Sequence, residues 1–199
     1  MKIVKSFFIL MVATAVAASI GMSGTGSEKE YFTIQNGQLE RPAGFREWVC
    51  VGTPLTPNDM NEGQAPFPEF HNVYMDPESW QHWKKTGTFR EGTMLVKELI
   101  SVGDKEASSG NGYFMGEFIG LEATIKSKRE FPKEPGYWAY FSFTMPDHKS
   151  LAKTAKKMPA EACNACHDAS AADDFVFTQF YPVIRAAKAD PKKAVGGEL

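Results

Sequence analysis

Cysteine is scarce: the 199-residue chain has three, at positions 50, 163 and 166, beside only four histidines. A structural zinc site needs further Cys or His ligands at a second short spacing, and the chain has none. An excess of positive charge is missing too. With 22 Lys and Arg against 24 Asp and Glu, nothing argues for nucleic acid as a partner. No internal repeat or domain break divides the chain, so a single domain is expected after the first residues. Between Asp168 and Leu199 there is neither methionine nor histidine, an absence that bears on the motif just before it.

That motif is Cys163-Asn164-Ala165-Cys166-His167, the spacing of a covalent haem attachment site. Two thiols three positions apart each add to a vinyl group of one porphyrin, and the following imidazole is placed under the iron. A thioredoxin-like site would instead follow a strand and open a helix of a βαβ unit, with no need of the histidine. One covalently attached haem c per chain, with His167 on the metal, is therefore expected. Electron-transfer cytochromes close the iron with a second Met or His. Here any such ligand has to come from upstream, where His71, His82, His148 and several methionines each read as packing or surface. The sequence points to a five-coordinate iron whose open side binds or transforms a small ligand.

The first residues read as a signal peptide, 1–23. Lys2 and Lys5 precede an apolar run from Phe7 to Ala18, followed by small residues. The run is short for a spanning helix and has no charged stop after it. Export to the periplasm fits the motif, and residues 24–199 form the haem-binding domain. Gly21 to Lys29 is a polar leader, and Pro191 to Leu199 a frayed end.

Along the domain, Trp48 to Val51 reads as a strand in which Cys50 is a small buried residue. Asn58 to Phe70 is a loop, and Val73 to Met75 a short strand. Asp76-Pro77-Glu78 then opens a helix that stops by Gly87. Thr93 to Val102 and Tyr113 to Lys126 read as long antiparallel strands. Strict alternation sets Leu95, Lys97 and Leu99 on one face of the first, and Val96, Glu98 and Ile100 on the other, one of these faces being solvated. In the second, Phe114, Gly116, Phe118, Gly120 and Glu122 share a face, and the glycines either clear space for a cofactor or admit tight packing. Gly136 to Met145 is a third strand, Ser150 to Lys157 a helix, and Pro182 starts or kinks a last helix. The fold expected is α+β and β-rich, an antiparallel β-sheet core with flanking helices. The three alternating runs disfavour a four-helix cytochrome.

Several blocks, among them Arg46-Glu47-Trp48-Val49, Asp76-Pro77-Glu78-Ser79, Trp83-Lys84-Lys85-Thr86-Gly87, Val96-Lys97-Glu98-Leu99 and Gly110 to Gly116, resemble cytochrome P-460 in their order together with the CxxCH. The resemblance implies a homodimer and a haem bonded additionally to a lysine, which matches Lys97. It also implies oxidation of hydroxylamine to nitrous oxide or nitric oxide, with electrons leaving to a soluble acceptor such as another cytochrome. Glu122 matches the distal acid that relays protons, in surroundings expected to be apolar. Phe67 matches the distal aromatic that limits access. A sister group, cytochrome c′-beta, has a similar fold without the lysine bond and binds nitric oxide or carbon monoxide without turnover.

Overall fold

The computed structural model describes residues 29–188. The signal peptide, all of the polar leader but Lys29, and the end from Pro191 lie outside the described residues. The strands are β1 (Ile34–Gln35), β2 (Gln38–Glu40), β3 (Val49–Gly52), β4 (Phe70–Met75), β5 (Thr93–Val102), β6 (Glu106–Ala107), β7 (Gly110–Asn111), β8 (Met115–Lys126), β9 (Trp138–Ser142) and β10 (Thr154–Lys156). The α-helices are α1 (Pro77–Thr86), α2 (Asn164–Ser170) and α3 (Pro182–Ala186). Among the described residues no helix is long and apolar enough to cross a membrane.

The centre is a five-stranded antiparallel sheet in the order β3-β4-β5-β8-β9. Its middle strand, β5, is rich in Val, Ile, Leu and Thr, which suit a pleated surface covered on both sides. The β5–β8 hairpin is prolonged by the β6–β7 ribbon, and β1-β2-β10 form a separate three-stranded sheet. The β-rich α+β architecture expected from the sequence is the one found. Helix α1 follows its signals closely. Asp76 Oδ1 accepts from Ser79 N at 2.8 Å and its Oδ2 from Met94 N at 2.8 Å, so one carboxylate caps the helix and ties it to β5. Gly87, at φ 67°, ends it.

Both faces of the five-stranded sheet are covered. On one, Met94, Val96, Leu121, Ala123, Ile125 and Phe141 pack against Leu39 of β2 and Ala155 of β10. On the other, Val73, Met75, Leu95, Trp138 and Tyr140 pack against Trp83 of α1 and Ile184 of α3. No solvated face exists for Glu98, which is 4% exposed, contrary to its reading as ordinary surface.

Three further readings are corrected, and one alternative is settled. Residues 150–157 are extended, because β10 pairs with β2 and Leu151 bridges Thr144; tertiary pairing overrides a modest helical tendency. Cys50 is exposed on the edge strand β3, not buried. Alternation in β8 is broken: Leu99 faces Gly120, but the next pair is Ile100 with Phe118, leaving Ile119 as the extra residue of a bulge. Phe118 is thereby turned away from Glu122 and packs against the Val96 face under the Arg46 guanidinium, 5.7 Å from its ring centroid. The glycines serve tight packing. A Cβ on Gly120 would lie 2.4 Å from Thr144 Oγ1, and one on Gly116 2.6 Å from Ser101 Oγ.

Candidate functional site

Helix α2 carries the motif. Cys163 is its N-cap, and His167 N donates to Cys163 O at 3.1 Å, so both thiols and the imidazole occupy one turn and the start of the next. Cys163 is half-buried and Cys166 exposed, and both are free thiols. Asn164, a spacer in the motif as read from the sequence, is buried and donates to Trp138 O at 2.9 Å. It fixes the start of the helix on β9.

The His167 ring lies 4.5 Å from Tyr140 and 4.6 Å from Phe177, centroid to centroid. Its Nδ1 is 2.7 Å from Phe175 O. A carbonyl only accepts, so Nδ1 carries the hydrogen and Nε2 keeps its lone pair for a metal. Burial pulls the imidazole below the ordinary histidine range, the Phe175 carbonyl opposing it in part. The same carbonyl accepts from Tyr140 OH at 3.3 Å. Its aim requires unusual backbone: Asp174 and Phe175 have φ 42° and 64°, costly for a phenylalanine. The turn is held by Val176 N donating to Asp173 O at 2.8 Å and by the Asp174 carboxylate, which accepts from Trp138 Nε1 and pairs with Lys126.

The sheet face that Tyr140 belongs to carries the other candidates. Cross-strand partners share a face, giving successive rows Met75-Leu95-Thr124-Tyr140, Val73-Lys97-Glu122-Ser142 and His71-Leu99-Gly120. Lys97 Nζ and Glu122 Oε2 are 2.6 Å apart, both side chains about one-third exposed or less. Glu122 is therefore paired with a cation and not set among apolar groups as expected. The charges of Lys97 and Glu122 both reach Cys163 and His167. Burial and then the Glu122 charge push the Cys163 thiol up. Phe67 lies on the loop before β4, more than half exposed, with Lys97 Nζ 5.4 Å from its ring centroid. The structure thus brings Lys97, Glu122 and Phe67 together, on the face against which the motif packs.

Of His82 and His148, considered as upstream iron ligands, the first is half-buried and bonded to Thr88 and the second is exposed in a turn. His71 is different. It lies on the Lys97 face, with Glu69 Oε1 3.3 Å from Nε2. The sequence reading gave no role to Glu69, Tyr140 or Phe175. His71, Val73 and Met75 alternate in β4, which was the available signal for His71. Nothing local in the sequence announces that a carbonyl at position 175 meets the His167 ring.

The donors fit a c-type haem: two free thiols on one turn, an imidazole with Nε2 free, and aromatic rings beside it. Among the described residues no cluster of three or more His, Cys, Asp or Glu could hold a metal ion by itself. The family model for cytochrome P460 matches residues 42–178, more than half of the chain, an interval that includes the five-stranded sheet and the whole motif. No curated protein matches the chain.

Proposed function

The chain belongs to the cytochrome P460 family, and from that premise we propose that it oxidises hydroxylamine to nitrous oxide or nitric oxide at a c-type haem bound to Cys163, Cys166 and His167. The observation that carries this reading is the Lys97–Glu122 pair, 2.6 Å apart on the face where the motif packs. When bound, the haem supplies an iron that holds a small nitrogen ligand and accepts its electrons. His167 Nε2 would ligate it, the ring being oriented by the Phe175 carbonyl at Nδ1. For every electron taken from hydroxylamine one proton also leaves, whichever of the two products forms, and Glu122 Oε2 is a base placed to take one. The electrons pass on to an oxidised acceptor, a second cytochrome. Phe67 limits what enters.

Lys97 would supply the additional bond to the haem: an amine N–H and a haem C–H would each give up a proton, the two electrons would leave to the oxidised acceptor, and Glu122 Oε2 stands where the ammonium proton would be received. The leader 1–23 exports the chain to the periplasm, where it works as a homodimer, a reading that rests on the sequence and on the family resemblance.

The test is turnover of hydroxylamine by purified holoprotein with an artificial oxidant, the gaseous product being identified. Consumption of hydroxylamine with formation of nitrous oxide or nitric oxide is expected. A protein that binds nitric oxide or carbon monoxide and consumes no hydroxylamine is of the c′-beta kind, and the reading fails. The lysine bond has its own test. The native protein is expected to show a red-shifted spectrum and Lys97→Ala an ordinary c-type one; identical spectra remove Lys97 from the mechanism.

A further inference from the structure

The Lys97 face carries a second polar pair, to which hydroxylamine oxidation through Glu122 assigns no part. His71 and Glu69 side chains are only 15% and 12% exposed, with Nε2 and Oε1 3.3 Å apart. Val73 stands directly across from Lys97, so His71 is a diagonal neighbour of Lys97, at ~7–8 Å, a separation that long side chains span. The Phe67 ring links the two sites: its centroid is 6.2 Å from that of His71 and 5.4 Å from Lys97 Nζ.

A purely structural role does not account for the pair. The loop before β4 is already fastened by backbone, with His71 N donating to Pro54 O at 3.0 Å and Leu55 bridged to Phe70. Burying a histidine and a carboxylate for anchorage would add desolvation cost to a junction that main chain secures. The chemistry of the pair is directional. An ionised carboxylate only accepts, so in the neutral ring Nε2 carries the hydrogen and Nδ1 is left with a lone pair. Burial pushes the Glu69 carboxyl up, but the His71 bond and a backbone hydrogen bond outweigh it and hold the group below the usual carboxylate value, so it is ionised in the working range. Among the described residues Nδ1 has no protein partner. A carboxylate on one ring nitrogen and an open lone pair on the other leave the ring positioned to accept a proton at Nδ1.

We propose that His71, positioned by Glu69, is a second proton acceptor for the hydroxylamine oxidised on this face, distinct from Glu122. This rests on the function proposed for the Lys97–Glu122 site. The proton leaves the nitrogen substrate for His71 Nδ1, the accompanying electron leaves for the oxidised acceptor, and Glu69 holds the imidazolium. The charged groups facing His71 are Glu69 from its own strand's approach, Lys97 from β5 and Glu122 from β8.

The test compares holoprotein carrying His71→Gln, which cannot take the proton, with Glu69→Gln, which keeps a hydrogen-bonding group but removes the charge. In steady state, His71→Gln is expected to lower kcat about 100-fold with KM unchanged, and Glu69→Gln to do the same more weakly. Raised KM with unchanged kcat would make His71 a gate and overturn the proposal. A second readout needs no turnover: the stretching frequency of carbon monoxide bound to the reduced protein, followed against pH. A pH-dependent shift is expected in the wild type and in Glu122→Gln, and its loss in His71→Gln. If the shift survives in His71→Gln, the proposal falls. A wild type that consumes no hydroxylamine sinks the oxidase function itself, and the carbon monoxide band still decides whether His71 takes a proton beside the ligand. A low-spin, six-coordinate ferric spectrum that turns high-spin in His71→Gln would make His71 an iron ligand and likewise overturn it.

Discussion

Lys97 and Glu98 are neighbours in β5, yet they serve opposite faces of one sheet in opposite ways. Glu98 is buried and fully engaged: Arg46 Nε donates to it at 2.8 Å and pairs with it, Tyr74 OH donates at 3.3 Å and Asn72 Nδ2 at 3.4 Å. The Arg46 guanidinium also lies 5.2 Å from the Phe45 ring centroid. Lys97 has one charged partner, Glu122, and the pair is partly open. A carboxylate that has its donors supplied from several places in the chain is a fixture of the fold, since any change of protonation would strand them. A carboxylate with one partner and an open flank is free to exchange a proton. The backbone pleat puts these two environments a single residue apart.

The sharpest way to break this contrast is Glu122→Ala. If Glu122 takes the substrate's protons, the change lowers kcat for hydroxylamine on the order of a thousandfold while the urea midpoint hardly moves, since a pair this exposed contributes about 0–1 kcal/mol. Full turnover in that variant would remove Glu122 from the mechanism, and a large loss of stability would make both faces structural. Arg46→Ala should behave the other way round. It leaves the Glu98 carboxylate buried without its cation, at a cost of about 3 kcal/mol, read by urea unfolding, with hydroxylamine turnover per folded haem unchanged. Glu98→Gln keeps an acceptor for Tyr74 and should cost less than Arg46→Ala. The reverse order would mean that Arg46, whose side chain is largely exposed, contributes little to holding Glu98.

The difference between the faces was only half legible in the sequence. Alternation in β5 separates Lys97 from Glu98, and the helix signals from Asp76 to Gly87 read through directly, because both depend on neighbours within a few residues. The engagement of Glu98 did not, since its partners Arg46, Asn72 and Tyr74 lie far away in the chain, and residues 150–157 gave no local sign of being extended. Alternation also misplaced Phe118, for a bulge at Ile119 shifts the phase and no residue type there demands it. At the site, CxxCH spacing is the signal for the thiols and His167, while Lys97, Glu122 and Phe67 were singled out only by what the family resemblance implies. The Phe175 carbonyl and the Glu69 carboxylate act through contacts that only folding creates.

The smallest effect expected separates the faces by acid. Glu69, on the Lys97 face, has its ordinary value of 4.5 lowered in the folded protein, with burial opposing and the His71 bond and a backbone hydrogen bond prevailing. A group held low in the folded state adds stability that is complete above its unfolded value and is lost as pH falls from about 4.5 through the folded one. Asp59, Glu91, Asp147 and Asp173 are held low as well, so acid weakening of the wild type alone identifies no single residue. The difference between wild type and Glu69→Gln does. Urea midpoints of the two are expected to run parallel from pH 7 down to about 5 and then to converge, because the wild type alone loses the Glu69 contribution. Curves that stay parallel to pH 3 would mean that Glu69 is not held by His71, and the proton acceptor proposed at His71 would lose its carboxylate partner.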